Sequence, residues 1–230
     1  MAIENLITEQ FLTVQGEGRS VGQLAYFIRL AGCNLWCEWC DSMHSVDPKL
    51  FKGKTFPVDY SKIPADCRLV VVTGGEPTLF DLFEIRRQVL SANPNRVIEI
   101  ESNSTKFPKD IVDLFNWNLS PKLKSSKQKS SELDEKRLIQ LLDWSEYAQK
   151  NSNNVIFKFV ISSQDDLSEV LELVKKYQIP KHLVYLMAEG QLPESQQLSA
   201  VQHIIDFAKK HSFNFSPRLH IIYWGKTRGV

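Results

Sequence analysis

No apolar run in this sequence is long enough to span a bilayer, so no transmembrane segment is expected. Net charge is nearly absent: 28 Lys and Arg stand against 27 Asp and Glu, a formal +1. That balance gives no electrostatic reason to expect nucleic acid or a membrane surface as a partner. The opening residues, MAIENLITEQFLTVQGEG, lack a basic segment followed by an apolar core. They do not read as a secretory signal, and a cytoplasmic location is expected. There is no internal repeat. Cysteine is scarce, with four in 230 residues. In a reducing compartment, clustered cysteines point to metal binding or catalysis rather than a disulfide framework.

What is present is an ordinary globular composition, 43% hydrophobic and 24% charged. The length suits one domain, taken as residues 1–230. Apolar, β-branched or aromatic runs at 25–32, 68–73, 96–102, 116–120, 155–162 and 182–190 read as strands. Helix candidates lie between and after them, at 77–93, 108–115, 132–150, 165–178 and 194–211. Alternation of this kind predicts an α/β fold, a mostly parallel sheet covered by helices. About six units are too few for an eight-fold barrel. Segment 42–66 looks irregular, and the basic, Ser-rich PKLKSSKQKSS at 121–131 reads as a solvated loop.

Three of the four cysteines fall within CNLWCEWC, as Cys33, Cys37 and Cys40. Three thiolates this close can hold a [4Fe–4S] cluster while leaving one iron open. An open position binds substrate or cosubstrate, as in catalytic zinc sites. The rival is a structural zinc with His44 as fourth ligand. Against it, the one distant cysteine is Cys67, which reads as a small buried hydrophobe beside RLVVVT. Leu35, Trp36 and Trp39 also promise an apolar surround suited to a redox cluster.

The spacing resembles that of the radical S-adenosylmethionine (SAM) superfamily. There the open iron is chelated by SAM, and the cluster's electron cleaves SAM to a radical. TGGEP, Thr73 to Pro77, supports the resemblance. Gly74 and Gly75 permit close backbone approach, Pro77 suits a helix start, and Glu76 places a carboxylate near it. In that superfamily a GGEP at this place contacts the SAM amino group.

Residues 11–42, with QGEG and the cysteine block, resemble the signature of the 7-carboxy-7-deazaguanine synthase family. So do Ser120–Lys122, FKFV at 157–160 and the ending SPRLHIIYWGKTRGV. The resemblance implies a partial (β/α)6 barrel, a homodimer, and conversion of 6-carboxy-5,6,7,8-tetrahydropterin to 7-carboxy-7-deazaguanine with loss of ammonia. It implies SAM as a regenerated cofactor, a [4Fe–4S] cluster on Cys33, Cys37 and Cys40, assisting Mg2+, an electron donor such as flavodoxin or ferredoxin, and a place in queuosine-type 7-deazapurine biosynthesis.

By the same resemblance, Val14, Gln15, Gly16 and Glu17 contact the substrate; the residues alone allow a surface turn. Arg29, inside an apolar strand, needs a partner or a cavity. It reads as a structural ion pair or as a clamp on the substrate carboxylate. Thr73 matches a substrate contact, and the carboxylate of Val230 is expected to touch the pterin. Ser42 stands where many relatives carry a Mg2+-binding Thr. Trp39, Cys40, Asp41, Gly75, Ser120, Pro121 and Lys122 match SAM contacts, and Glu101 is a partner for the SAM ribose. ESNST departs from the expected ETNGT, and MAEG lacks the usual Pro. His220, in a strand-like run, reads equally as core or as contact. Two other functions stay open: a glycyl-radical activase, which would leave QGEG unexplained, and a zinc-bound interaction module without catalysis.

Overall fold

The structure is a computed structural model and describes residues 5–230. The strands are β1 (Leu6–Val14), β2 (Leu24–Leu30), β3 (Phe56–Pro57), β4 (Leu69–Gly74), β5 (Val97–Ser102), β6 (Asn116–Leu119), β7 (Val155–Ile161), β8 (Val184–Ala188) and β9 (Asn214–Phe215). They form one open sheet in the order β3-β1-β2-β4-β5-β6-β7-β8-β9. From β2 to β9 every neighbouring pair is parallel. β1 and β3 add an antiparallel edge. The six strands expected from sequence are the six central ones. β1 and the short β3 and β9 went unread.

The helices are α1 (Met43–Val46), α2 (Pro48–Phe51), α3 (Leu82–Ala92), α4 (Ser131–Lys136), α5 (Leu141–Lys150), α6 (Gln164–Tyr177), α7 (Leu198–His211) and α8 (Leu219–Trp224). α6 begins where Ser163 and Asp166 form a reciprocal capping box. Its Leu167, Val170, Leu173 and Val174 enter the main core, each buried aliphatic contributing about 1.5–3 kcal/mol. None of the helices is long and apolar enough to cross a membrane, among the described residues.

Two helix candidates and one strand-like run need correction. Residues 108–115 hold only a 3-10 turn, Val112–Leu114. A helix so short is marginal alone, and here Trp117 Nε1 donates to the Val112 carbonyl and draws the chain into β6. The run 132–150 splits into α4 and α5, with buried Arg137 between them bonding the Lys122 carbonyl and Glu169. The strand-like run around His220 is α8, ended by Gly225 at φ 57°.

The two faces of the sheet differ. Side chains alternate along each strand, so Ile28, Val70, Val72, Ile100, Trp117, Phe157, Phe159 and Leu186 all point to the helices and form the main core. The opposite, concave face carries a small apolar floor of Ala25, Phe27, Leu69 and Val71 under Phe11, whose ring stacks on Phe27 at 5.4 Å. Above that floor, towards the C-terminal ends of the parallel strands, the concave face turns polar. A register shift in β1 between Ile7 and Glu9 matters here. Two residues apart, they would share a face. The bulge instead buries Ile7 in the helix-side core and turns Glu9 to the concave side.

Candidate active site

The concave face and the loops above it enclose an open cavity of about 330 Å3. Cys33, Cys37 and Cys40 line it. So do Val14, Gln15, Gly16, Glu17, Arg29, Thr73 and Val230. Trp39, Asp41, Ser42, Gly75, Glu101, Ser120 and Lys122 complete the set drawn from sequence. Pro121 alone of those candidates does not line it and is buried behind its neighbours. Cys67 is buried in the main core, its thiol on the Leu69 carbonyl, as expected of a structural cysteine.

The cysteine loop is held against β4 by two glycines. A Cβ at Gly74, whose φ is +120°, would collide with the backbone of Leu30, and one at Gly75 with the Gly32 carbonyl. The Glu76 amide donates to that same carbonyl at 2.8 Å. Glu76 itself is fully buried. Its carboxylate caps Thr78 and accepts from Ser102 Oγ (2.8 Å) and Asn103 N (2.7 Å), tying the ends of β4 and β5 together. GGEP is therefore first a joint between strands.

Nitrogen donors face two of the sulfurs. Gln128 Nε2 lies 3.2 Å from Cys37 Sγ, and Asn103 Nδ2 lies 3.7 Å from Cys33 Sγ. The Leu35 amide adds a contact to Cys33 at 3.4 Å. Burial, reinforced by the Glu76 charge, pushes the free Cys33 thiol up to about 12. Coordination to a metal would deprotonate it outright. Among the described residues, the one His/Cys/Asp/Glu group whose ligand atoms all lie within 4.8 Å is Glu17, Asp41 and His220. The cysteines are more widely spread than that. Sulfurs around one zinc would stand about 4 Å apart at Zn–S of about 2.3 Å. His44 is turned away to Glu9, at 3.4 Å. Three separated, hydrogen-bonded thiols fit a cluster and do not fit a single zinc ion.

The donors come partly from a segment expected to be solvated. Residues 124–128 pack on the cysteine loop. The Glu38 amide donates to the Ser126 carbonyl (2.9 Å), Trp39 Nε1 to the Ser125 carbonyl (3.0 Å), and the Trp36 amide to Gln128 Oε1 (2.8 Å). Lys129 covers the Trp36 ring at 4.1 Å. Leu123 and Ser126 are buried. Charge and serine content alone did not reveal this, because the partners lie some 90 residues away in sequence.

QGEG is not a surface turn. Gln15 is 2% exposed, and its amide donates to Glu99 (3.2 Å) and Glu101 (3.0 Å). Glu101 also accepts from Thr73 Oγ1 at 2.8 Å, and Glu99 from Ser20 Oγ at 2.7 Å. Burial raises the Glu99 carboxyl, and the neighbouring Glu101 charge adds to it against the two bonds it accepts. Glu17 is bonded by Lys158 and by Arg218 Nε at 3.0 Å, and His220 Nε2 lies 3.6 Å from it. Burial would raise its carboxyl, but the Lys158 and Arg218 charges hold it well below the usual carboxylate range. Glu17 in turn outweighs the burial that would lower Lys158 and keeps the ammonium charged. Burial lowers His220, more than Glu17 restores. Arg218 also reaches Asp41, so α8 is latched to the cysteine loop across the cavity.

Arg29 pairs through Nε with its cross-strand partner Glu9, at 2.6 Å. Burial pushes the Glu9 carboxyl up, but the bond from His44 and the charge of Arg29 outweigh it and set it at about 2. Both terminal nitrogens of Arg29 are left without a hydrogen-bond partner among the described residues. Lys122 bonds Ser120 Oγ at 2.8 Å and lies over Trp39 at 5.5 Å. Ser42 Oγ lies 3.7 Å from Cys40 Sγ.

Sequence reasoning missed Lys158, Arg218, Gln128, Asn103 and Asn118. A signal existed for some. Glu99, Glu101, Asn118 and Lys158 are polar residues at alternate positions inside otherwise apolar strands, which is how a polar inner face is written. Arg218 and Gln128, on a helix margin and a loop, carry no such periodicity.

No protein-family model matches the chain. It is 32% identical over 227 residues to the 7-carboxy-7-deazaguanine synthase of Pyrobaculum aerophilum, covering 97% of this chain and 96% of that protein. It is 30% identical over 233 residues to the 7-carboxy-7-deazaguanine synthase of Clostridium acetobutylicum, covering 97% and 98%. Its fold is similar to the crystal structure of QueE from Escherichia coli, with TM-score 0.63, 22% identity and 93% of each chain covered.

Proposed function

We propose a role for each part of the cavity from one premise: the chain belongs to the 7-carboxy-7-deazaguanine synthase family. Its activity is the family's, a radical SAM lyase reaction that yields 7-carboxy-7-deazaguanine. The substrate is 6-carboxy-5,6,7,8-tetrahydropterin, and ammonia is the leaving group. The observation that carries the reading is the convergence of the cysteine loop, the 15–17 turn and the C-terminal segment on one cavity.

Cys33, Cys37 and Cys40 would hold a [4Fe–4S] cluster with one iron left for SAM. When bound, cluster and SAM together supply the electron and the radical that start the rearrangement. Gln128 and Asn103 hold the sulfurs in place through N–H donors. Trp39, Asp41, Gly75, Glu101, Ser120 and Lys122 form the SAM side of the cavity. Val14, Gln15, Gly16, Glu17, Thr73 and the end of the chain at Val230 form the pterin side. Arg29 keeps two nitrogens free for a carboxylate while Glu9 fixes its third. Ser42 offers a hydroxyl to a Mg2+ that would share the substrate carboxylate. Lys158 and Arg218 are balanced by Glu17 and Asp41, two charges of each sign, so a neutral pterin ring can bind beside them. A homodimer, a flavodoxin- or ferredoxin-type donor and a cytoplasmic location complete the proposal.

The test is anaerobic turnover of reconstituted protein with SAM, reductant, Mg2+ and the pterin, followed by mass. A deazaguanine product without matching SAM consumption supports the reading. SAM cleavage without that product removes the substrate assignment. Full activity with metal-free buffers and chelator removes Mg2+.

A further inference from the structure

After α8 the chain turns at Gly225, and the Thr227 amide donates back to the Trp224 carbonyl at 3.1 Å. From that turn to its end at Val230 the tail lines the cavity. Arg228 ties it to β1, with Nη2 at 3.5 Å from Glu9 Oε2. The other oxygen of the same carboxylate, Oε1, accepts from Arg29 Nε at 2.6 Å and faces His44 Nε2 at 3.4 Å. Two guanidiniums from opposite ends of the chain therefore share one carboxylate. This corner of the cavity holds two permanent positive charges and one negative charge. Asp41, which feels the Arg29 charge, is already paired with Arg218. The terminal carboxylate of Val230 lines the same cavity but pairs with neither arginine among the described residues. Both terminal nitrogens of Arg29 are without a partner among the described residues, and Arg228 has no bond there besides the one to Glu9.

We infer that Arg228 is a second arginine for the substrate carboxylate, meeting it beside Arg29 while Glu9 holds both guanidiniums. The inference rests on the pterin reading above. One added carboxylate brings the corner to two charges of each sign. Its two oxygens offer about four acceptor sites, enough for both arginines and a shared cation. The two arginines differ in how they are held. Arg29 is fixed on β2, in the sheet, whereas Arg228 is 57% exposed near the end of the chain. An exposed ion pair such as Arg228–Glu9 is worth only about 0–1 kcal/mol, so the tail is weakly seated by the protein alone. Charge-assisted bonds to a bound carboxylate are stronger. The substrate carboxylate is thus the group that orders the tail and draws it over the pterin.

The experiment compares wild-type holoenzyme with R228M and R228K. Affinities are measured for SAM, for 6-carboxy-5,6,7,8-tetrahydropterin and for its 6-carboxamide. Amide hydrogen exchange of residues 225–230 is followed by mass in the same samples. R228M should lose roughly 10-fold of affinity for the carboxylated pterin, and R228K should recover part of it. All three proteins should bind the carboxamide alike, and SAM affinity should stay at the wild-type value. The carboxylated pterin should slow exchange of the tail in wild type and not in R228M. Equal losses for both pterins in R228M would mark Arg228 as a structural tie of the tail and overturn the inference. Unchanged affinity for the carboxylated pterin in R228M would overturn it too, as would equal protection of the wild-type tail by the carboxamide. Wild type that binds neither pterin removes the substrate reading itself, and the inference with it.

Discussion

The side-chain amide of Gln128 donates to the Cys37 sulfur at 3.2 Å, while its oxygen accepts from the Trp36 amide at 2.8 Å. The second bond fixes which end of the amide faces the sulfur. Hydrogen bonds to a cluster's sulfurs stabilise the added electron and raise its potential. Q128L should therefore lower the midpoint potential of the reconstituted cluster, read by a redox titration followed by electron paramagnetic resonance. An unchanged potential at full iron content would show that this contact does not act on the cluster.

Lys158 and Glu17 form a buried ion pair on the concave face. Removing one partner of such a pair costs about 3 kcal/mol, because the other is left uncompensated. K158M should cost that much or somewhat less, since Arg218 still reaches Glu17 at 3.0 Å. The double variant K158M/E17L should recover part of the loss. Urea unfolding of the wild type, the single variants K158M and E17L and the double variant checks this. Simple additivity of the single losses would mean that the two side chains do not interact.

Glu99 gives a pH signature. Its carboxyl is raised by burial above the ordinary 4.5. Above 4.5 the unfolded chain has given up that proton while the folded chain still holds it. The folded state then binds more protons, so stability falls as pH rises through the window between the two values. E99Q should flatten that fall, in melting midpoints taken from pH 4.5 upward. The opposite slope difference would mean that the bonds from Ser20 and Gln15 win over burial.

Ser104 occupies a left-handed conformation, φ 65°, in the loop after β5. It stands where the ETNGT pattern has glycine. A side chain there costs about 1 kcal/mol relative to glycine. S104G should exceed S104A in stability by about that amount. Comparing the two removes the contribution of the hydroxyl, which donates to the Asn103 carbonyl at 2.6 Å. Equal stabilities would mean that the loop relaxes at no cost.

Much of this molecule was readable from local pattern. Apolar runs bounded by turn residues located the six central strands, since a strand buried on both faces needs continuous apolar side chains. The cysteine spacing, QGEG and TGGEP marked the site because each is a short segment whose chemistry is carried by neighbours in sequence. The edge strand β1 escaped because it is only half-buried and carries a bulge, which breaks period-two alternation between Ile7 and Glu9. α8 escaped because LHIIYW has strand-like composition, while its ends are set by Arg218 and Gly225.

What tertiary structure alone decided is which distant groups share the cavity. Glu9 meets Arg29, Arg218 meets Glu17 and Asp41, and Gln128 meets Cys37. No propensity or period encodes these pairs, because they arise only when parallel strands and their loops close on one face. The amino-acid order determined what the strands are and which residues face inward. Packing decided which of those inward groups are satisfied by the protein and which, like the terminal nitrogens of Arg29, are left without a partner among the described residues.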